Sequence, residues 1–189
     1  MPQSSKKNIA LAGFMAVGKS VVGKRLAQRL RRRFVDLDQA IENKEGMTVS
    51  EIFSRKGEKY FRAVEKQALS EILKKSGQVI ATGGGAVLDG ENLELLKQRT
   101  VLVCLTAASE TLLQRSGSGK ERPLLEGNNR REQIEELLSR REKSYAQAHF
   151  SIDTGDLSVD EVVERIVKEI GQLSALSKLA VSTKIKAES

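Results

Sequence analysis

Gly13 and the run Gly18-Lys19-Ser20 stand in the spacing G-x-x-x-x-G-K-S, filled here as Gly13-Phe14-Met15-Ala16-Val17-Gly18-Lys19-Ser20 and followed by Val21. Glycines at those two places let backbone N–H groups turn inward around phosphate oxygens. The lysine reaches the β and γ oxygens, and the serine hydroxyl offers a ligand to magnesium. A helix opening at the end of the run adds positive potential for an anion. The spacing therefore predicts ATP-like phosphates and Mg2+ held by Gly13, Met15, Ala16, Val17, Gly18, Lys19, Ser20 and Val21.

Asp36 and Asp38 flank Leu37 at the end of a short apolar run. On an extended backbone both carboxylates leave on one face. Magnesium and a hydroxyl substrate would give two like charges a reason to converge, whereas the plainer alternative is a helix N-cap at Asp38 beside a solvated carboxylate. Aspartate is a weak base, with a reference pKa of about 3.9, so its part would be to orient a hydroxyl and accept its proton late in a loose transition state. Gly83-Gly84-Gly85 either lets a ligand lie against bare backbone or forms a loose strand-to-helix loop. Arg62 sits three residues before Glu65 on an expected helix, a spacing that suits a carboxylate holding a guanidinium and equally suits a surface ion pair. Arg122 and the pair Arg140-Arg141 offer guanidinium groups to a phosphoryl group or an acidic substrate.

The elements that must position these groups alternate. Asn8 to Ala12 reads as a strand entering the glycine loop, and Lys19 to Leu30 places Val22, Leu26, Ala27 and Leu30 at helical spacing. Phe34-Val35-Asp36 reads as a second strand. Thr48-Val49-Ser50-Glu51 is a capping box for a helix stopping near Gly57, and a longer helix runs from about Glu58 to Lys75. Val79 to Thr82 and Thr100 to Thr106 are continuous apolar runs suited to a parallel sheet covered on both faces. A helix at Ser109 to Gln114, a glycine-rich polar stretch over Ser116 to Arg131 and a helix reaching about Tyr145 follow. Ser151-Ile152-Asp153 closes the sheet, and Ser158 to Glu161 caps a last helix ending near Leu173. This order predicts an α/β fold, with ligands at the carboxyl ends of the strands, where the glycine loop, Asp36-Leu37-Asp38 and the triple glycine all fall.

A chain of 189 residues suits one domain, and its net charge of +7 suits anionic ligands. The basic residues are spread rather than blocked and aromatics are few, which argues against nucleic acid as a partner. No apolar stretch approaches a membrane span, and nothing follows Lys6-Lys7 like a signal-peptide cleavage site. The lone Cys104, inside an apolar strand, and the lone His149 read as structural residues, so the expected setting is the cytoplasm.

Taken together, Gly-Phe-Met-x-x-Gly-Lys-Ser at 13–20, Phe34-Val35-Asp36-Leu37-Asp38, Phe61-Arg62-x-x-Glu65, Gly83-Gly84-Gly85 and Arg122-Pro123-Leu124-Leu125 resemble the shikimate kinases from about Asn8 to Leu173. The resemblance implies a nucleoside-monophosphate-kinase-like P-loop fold, with three αβα layers around a five-stranded parallel sheet and a mobile lid at about 116–131. It implies one domain over 1–173, whereas 174–189 match nothing in the family and read as a flexible C-terminal tail. The implied activity is Mg2+-dependent transfer of the ATP γ-phosphoryl group to the 3-hydroxyl of shikimate, a step toward chorismate and the aromatic amino acids.

By motif, the resemblance implies that Lys19, Asp38 and Arg122 are catalytic, with Asp38 binding the shikimate hydroxyls and acting as the base. Asp36 would reach Mg2+ through its water shell, beside Ser20. Arg62, placed by Glu65, and Arg141 would grip the shikimate carboxylate, with Arg140 adjacent to Arg141 as the alternative. Gly83, Gly84 and Gly85 would line the ring, Arg122 would close over the phosphates, and Arg115 would lie along the adenine. ATP and shikimate are then the partners of a cytoplasmic monomer that needs no nucleic acid or membrane. Two departures stand out. Ala16 replaces the glycine usual in the family, and a left-handed backbone there would cost alanine about 1–2 kcal/mol. Lys143-Ser144 precede Tyr145 where an apolar pair with proline is commoner. The rival readings are a related small-molecule kinase, such as one for gluconate, and a nucleotide-binding regulatory protein that has lost transfer.

Overall fold

Alternation along the central strand sorts the core into two layers. β1 (Asn8–Gly13) sends Ile9 and Leu11 to one face of the sheet and Ala10 and Ala12 to the other, all of them buried. β3 (Gln78–Ala81) divides Val79 from Ile80 in the same way, and β4 (Thr100–Thr106) divides Val103 and Leu105 from Leu102 and Cys104. Strands buried on both faces need continuous apolar runs, which is why their sequence signal is strong. With β2 (Arg33–Asp36) and β5 (Phe150–Asp153) they form a parallel sheet in the order β2-β3-β1-β4-β5. Ile9 lies opposite Val79 on one side and Val101 on the other. The computed structural model describes residues 7–116 and 129–187, with side chains as far as residue 176.

Helices cover both faces. Against Ile9 and Leu11 pack α1 (Lys19–Leu30), α5 (Ser109–Arg115) and α7 (Val159–Ala187), through Val22, Leu26, Leu112, Val162, Val163 and Ile166. Against Ala10 and Ala12 pack α2 (Leu37–Glu45), α3 (Val49–Leu73) and α4 (Gly90–Arg99), through Leu37, Ile41, Phe61, Val64, Leu69, Leu93 and Leu96. α6 (Arg130–Tyr145) gives Ile134 to the first layer and Tyr145 to the second. The result is the three-layer αβα arrangement expected from the alternation of elements.

The expected capping boxes form. Thr48 Oγ1 accepts from Glu51 N at 3.2 Å while Glu51 Oε2 accepts from Thr48 N at 2.9 Å, and Ser158 and Glu161 repeat the exchange. At Gly57 the backbone leaves the helical region (φ 79°, ψ 167°), so α3 is two helical stretches joined at a kink where the first was expected to stop. α7 joins α1 through the apolar contacts above and through the exposed ion pairs Arg25–Asp160 and Arg29–Glu164.

Two expectations need correction. α2 enters the sequence reading only as the alternative of a helix capped at Asp38, because only Leu37 and Ile41 of its nine residues are buried and the rest are almost all polar. α7 continues to Ala187 rather than ending near Leu173, with no glycine or proline after Gly171 to stop it. The structural readings of His149 and Cys104 hold. His149 Nδ1 accepts from Leu102 N at 3.0 Å, and the His149 backbone N–H donates to Leu102 O. Burial pushes the Cys104 thiol up to about 11. Among the described residues no helix is long and apolar enough to cross a membrane.

Candidate active site

The glycine loop connects β1 to α1 and turns on Gly13, whose φ of 136° belongs to glycine. A Cβ there would stand 2.3 Å from Leu105 O, so the neighbouring strand leaves no room for any other residue. Gly18, also at positive φ, precedes the first turn of α1. Lys19 Nζ donates to Gly13 O at 3.0 Å and Phe14 O at 2.9 Å, which lays the ammonium across the mouth of the loop. A cavity of about 320 Å³ opens there. Its walls are Met15, Ala16 and Gly18 to Val21 on one side and Asp36, Asp38, Thr82 and Gly84 on the other. Val17, though part of the motif, is buried beneath the loop.

Ala16 has φ 62°, so the strained left-handed backbone considered for this departure is present. Glycine would relieve about 1–2 kcal/mol of strain but lose about 0.4–1 kcal/mol through the freer unfolded chain. The Ala16→Gly variant is therefore expected to gain about 0.5–1 kcal/mol in denaturant unfolding. A destabilised variant would show that the alanine methyl makes a compensating contact.

Asp36 and Asp38 converge on the cavity by a different route from the one their spacing suggested. The chain does not stay extended: Asp36 is the N-cap of α2, its Oδ1 accepting from Asp38 N at 3.1 Å and Gln39 N at 3.4 Å. Asp38 lies in the first helical turn, so the capping role considered for it belongs to Asp36. Asp36 Oδ2 accepts from Ser20 Oγ at 2.6 Å, which brings the two expected metal-side residues together.

Asp38 turns toward the loop after β3. Its Oδ1 and Glu65 Oε1 are buried acceptors without a partner, and both face Gly83, where a Cβ would stand 2.8 Å and 2.7 Å from them. Burial, followed by the charge of Asp36, raises the Asp38 pKa against the opposing pull of Lys19 and Arg62. Glu65 is also raised, by burial first and by Asp38, although Arg62 opposes the shift.

Arg62 Nη1 donates to Glu65 Oε2 at 2.8 Å, as their spacing predicted. Its other edge meets Glu58, with Nη2 and Nε donating to Oε1 at 3.0 Å and 3.3 Å. Burial works against the Arg62 charge, but the two carboxylates outweigh it and raise the pKa. A Cβ on Gly85 would stand 2.7 Å from both Nη atoms, so the triple glycine admits close approach of this guanidinium. Arg141, 4% exposed, donates from Nη1 to Gly84 O at 3.2 Å and lies 5.3 Å from the Phe14 ring centroid. Arg140 instead points to solvent and pairs with Glu136, so the geometry separates the two adjacent arginines. Tyr145 Oη donates to the same Gly84 carbonyl at 3.0 Å.

Arg115 donates to Thr154 Oγ1 at 3.0 Å, Thr154 O at 2.9 Å and Gly155 O at 3.1 Å. The Thr154 hydroxyl in turn has Thr106 O at 3.1 Å and Val17 O at 3.4 Å as acceptors, so this arginine braces the turn after β5 against β4 and the foot of the glycine loop. Arg122 and most of the expected lid lie outside the described residues. The sequence reading missed Glu58 and Thr154. Glu58 carried a signal, since it sits four residues before Arg62 on one helical face, whereas Thr154 becomes adjacent only through the fold.

The shikimate kinase family profile matches residues 15–171. A shikimate kinase of Thermodesulfovibrio yellowstonii is 47% identical over 168 residues, covering 89% of this chain and 97% of that protein. One of Thermoanaerobacter pseudethanolicus is 44% identical over 162 residues, covering 86% and 95%. Among solved structures, the shikimate kinase of Acinetobacter baumannii in complex with shikimate superposes with a TM-score of 0.86. It shares 38% identity and covers 89% of this chain and 94% of its own.

Proposed function

The chain belongs to the shikimate kinase family, and from that membership we propose how its residues divide the transfer of the ATP γ-phosphoryl group to the 3-hydroxyl of shikimate. The observation that carries the acceptor half is the buried pair of partnerless oxygens, Asp38 Oδ1 and Glu65 Oε1, beside Arg62 and Arg141. A buried acceptor left without a donor costs about 1–3 kcal/mol. A polyhydroxylated acid offsets that cost with its hydroxyls and meets the guanidinium groups with its carboxylate.

In this reading Gly13 to Val21 cradle the phosphates, and Lys19 moves from the loop carbonyls to the β and γ oxygens. Ser20 and Asp36 hold Mg2+, Asp36 through water. The fit is supported by their 2.6 Å contact, which sets two hard oxygen donors side by side at the loop. Bound there, Mg2+ supplies neutralising charge to the phosphates. Asp38 orients the 3-hydroxyl and accepts its proton as the phosphoryl group transfers. Its raised pKa makes it a better acceptor than a solvated aspartate. Arg62 and Arg141 fix the carboxylate, and Gly83 to Gly85 let the ring lie against backbone. Arg115, braced by Thr154 and Gly155, flanks the adenine, while the part of Arg122 over the phosphates rests on its motif alone. A cytoplasmic setting is supported by the buried free Cys104.

ADP release measured with shikimate and with gluconate tests the acceptor. Rapid turnover with shikimate, its loss in EDTA and its return with added Mg2+ are expected. Turnover with gluconate alone would favour the related kinase, and ATP binding without shikimate-dependent release would favour a regulatory protein.

A further inference from the structure

A guanidinium offers two edges on which a carboxylate can form two parallel N–H···O bonds, one between Nη1 and Nη2 and one between Nε and Nη2. In Arg62 the first is compromised on both counts. Nη1 is given to Glu65, whose side chain is 1% exposed, and the Nη1/Nη2 end abuts Gly85. The Nε/Nη2 edge remains, and a single oxygen, Glu58 Oε1, covers it by accepting from both nitrogens. Glu58 differs from Glu65 in exposure: its side chain is 60% exposed, so it leaves for water at little cost.

We propose that Glu58 is a placeholder for the substrate carboxylate, holding the Nε/Nη2 edge of Arg62 until the acid displaces it and so setting the affinity for shikimate. The proposal rests on the reading of Arg62 as an anchor of that carboxylate. The exchange replaces one anion by another. An incoming carboxylate brings two oxygens to two N–H groups where Glu58 brings one, which favours the substrate. With the site empty, the buried Glu65 alone keeps the guanidinium aimed past Gly85, so the fork stays oriented when Glu58 leaves. Glu58 acts only through Arg62 and is a positioning residue.

The test is direct titration of shikimate, without nucleotide, into the wild type, Glu58→Gln, Arg62→Ala and the double variant. Removing the competitor is expected to lower Kd by about two- to fivefold, the scale of an exposed ion pair. In the Arg62→Ala background the same change is expected to do nothing. Glu58→Ala should act in the same direction as Glu58→Gln. An unchanged or higher Kd in Glu58→Gln, with Arg62→Ala strongly weakened, would overturn the placeholder. An unchanged Kd in Arg62→Ala would instead overturn the assignment of Arg62 itself.

Discussion

Replacing Asp38 by Asn is expected to lower kcat by about 10²–10⁴-fold, the range for a lost general base, while ADP binding stays intact. The same variant is expected to melt at a higher temperature in the absence of ligands. The folded-state pKa of Asp38 is raised, by burial first and by Asp36 next, so the folded protein binds this proton more tightly than the unfolded chain. Stability therefore falls as pH rises from the unfolded pKa through the folded one, and the cost is fully present only above the folded pKa. A neutral amide removes the charge that burial opposes. Rate and stability should move in opposite directions, as at a site where function maintains strain. A kcat within tenfold of wild type would remove Asp38 from the role of base. A thermal shift that vanishes below the unfolded carboxylate pKa would locate the gain in the ionised form.

Replacing Arg62 by Ala is expected to weaken shikimate by about 2–5 kcal/mol, the usual loss when one partner of a buried charge pair is removed. Calorimetric titration measures this directly, with ADP affinity as the control that should not move. The substitution withdraws the donor at 2.8 Å from Glu65 Oε2 and leaves that carboxylate buried with both oxygens unmet. The pKa of Glu65, already raised by burial with Asp38 adding to it, then loses the positive charge that opposes the rise. Part of the measured loss thus comes from Glu65 taking up a proton, and it should shrink as pH is lowered. A normal shikimate affinity in this variant would place the carboxylate elsewhere, with Arg141 the next group to test.

Much of this site was legible because it is built from local signals. The glycine loop, the capping boxes at Thr48 and Ser158 and the apolar runs of β1, β3 and β4 each carry their meaning within a few residues. Asp36 and Asp38 were paired correctly, although α2 and not an extended strand brings them together, because a short helix with two buried residues leaves little periodicity. Arg140 and Arg141 could not be separated by composition. Their order relative to Tyr145 separates them, since Arg141 and Tyr145 lie one turn apart and both reach Gly84 O. Thr154 was invisible because its partners Arg115 and Val17 meet it only once β5 has joined β4. The left-handed Ala16 was foreseeable only as a conditional cost, because backbone geometry is set by what surrounds the loop.

The pairing of α1 with α7 also bears on the order in which the molecule matures. Arg25 and Asp160, like Arg29 and Glu164, lie 135 residues apart, and Val22 and Leu26 share their apolar cluster with Val162 and Ile166. While the ribosome is still adding residues before Val159, the helix that begins with Lys19 and Ser20 has no cover from α7. Contacts across such separations form late. The acceptor side, where Asp38, Arg62 and Glu65 sit on helices adjacent in the chain, can assemble earlier. The newborn chain can thus order the surroundings of Asp38, Arg62 and Glu65 before α7 covers the helix that follows the glycine loop, with Arg141 joining from α6 in between.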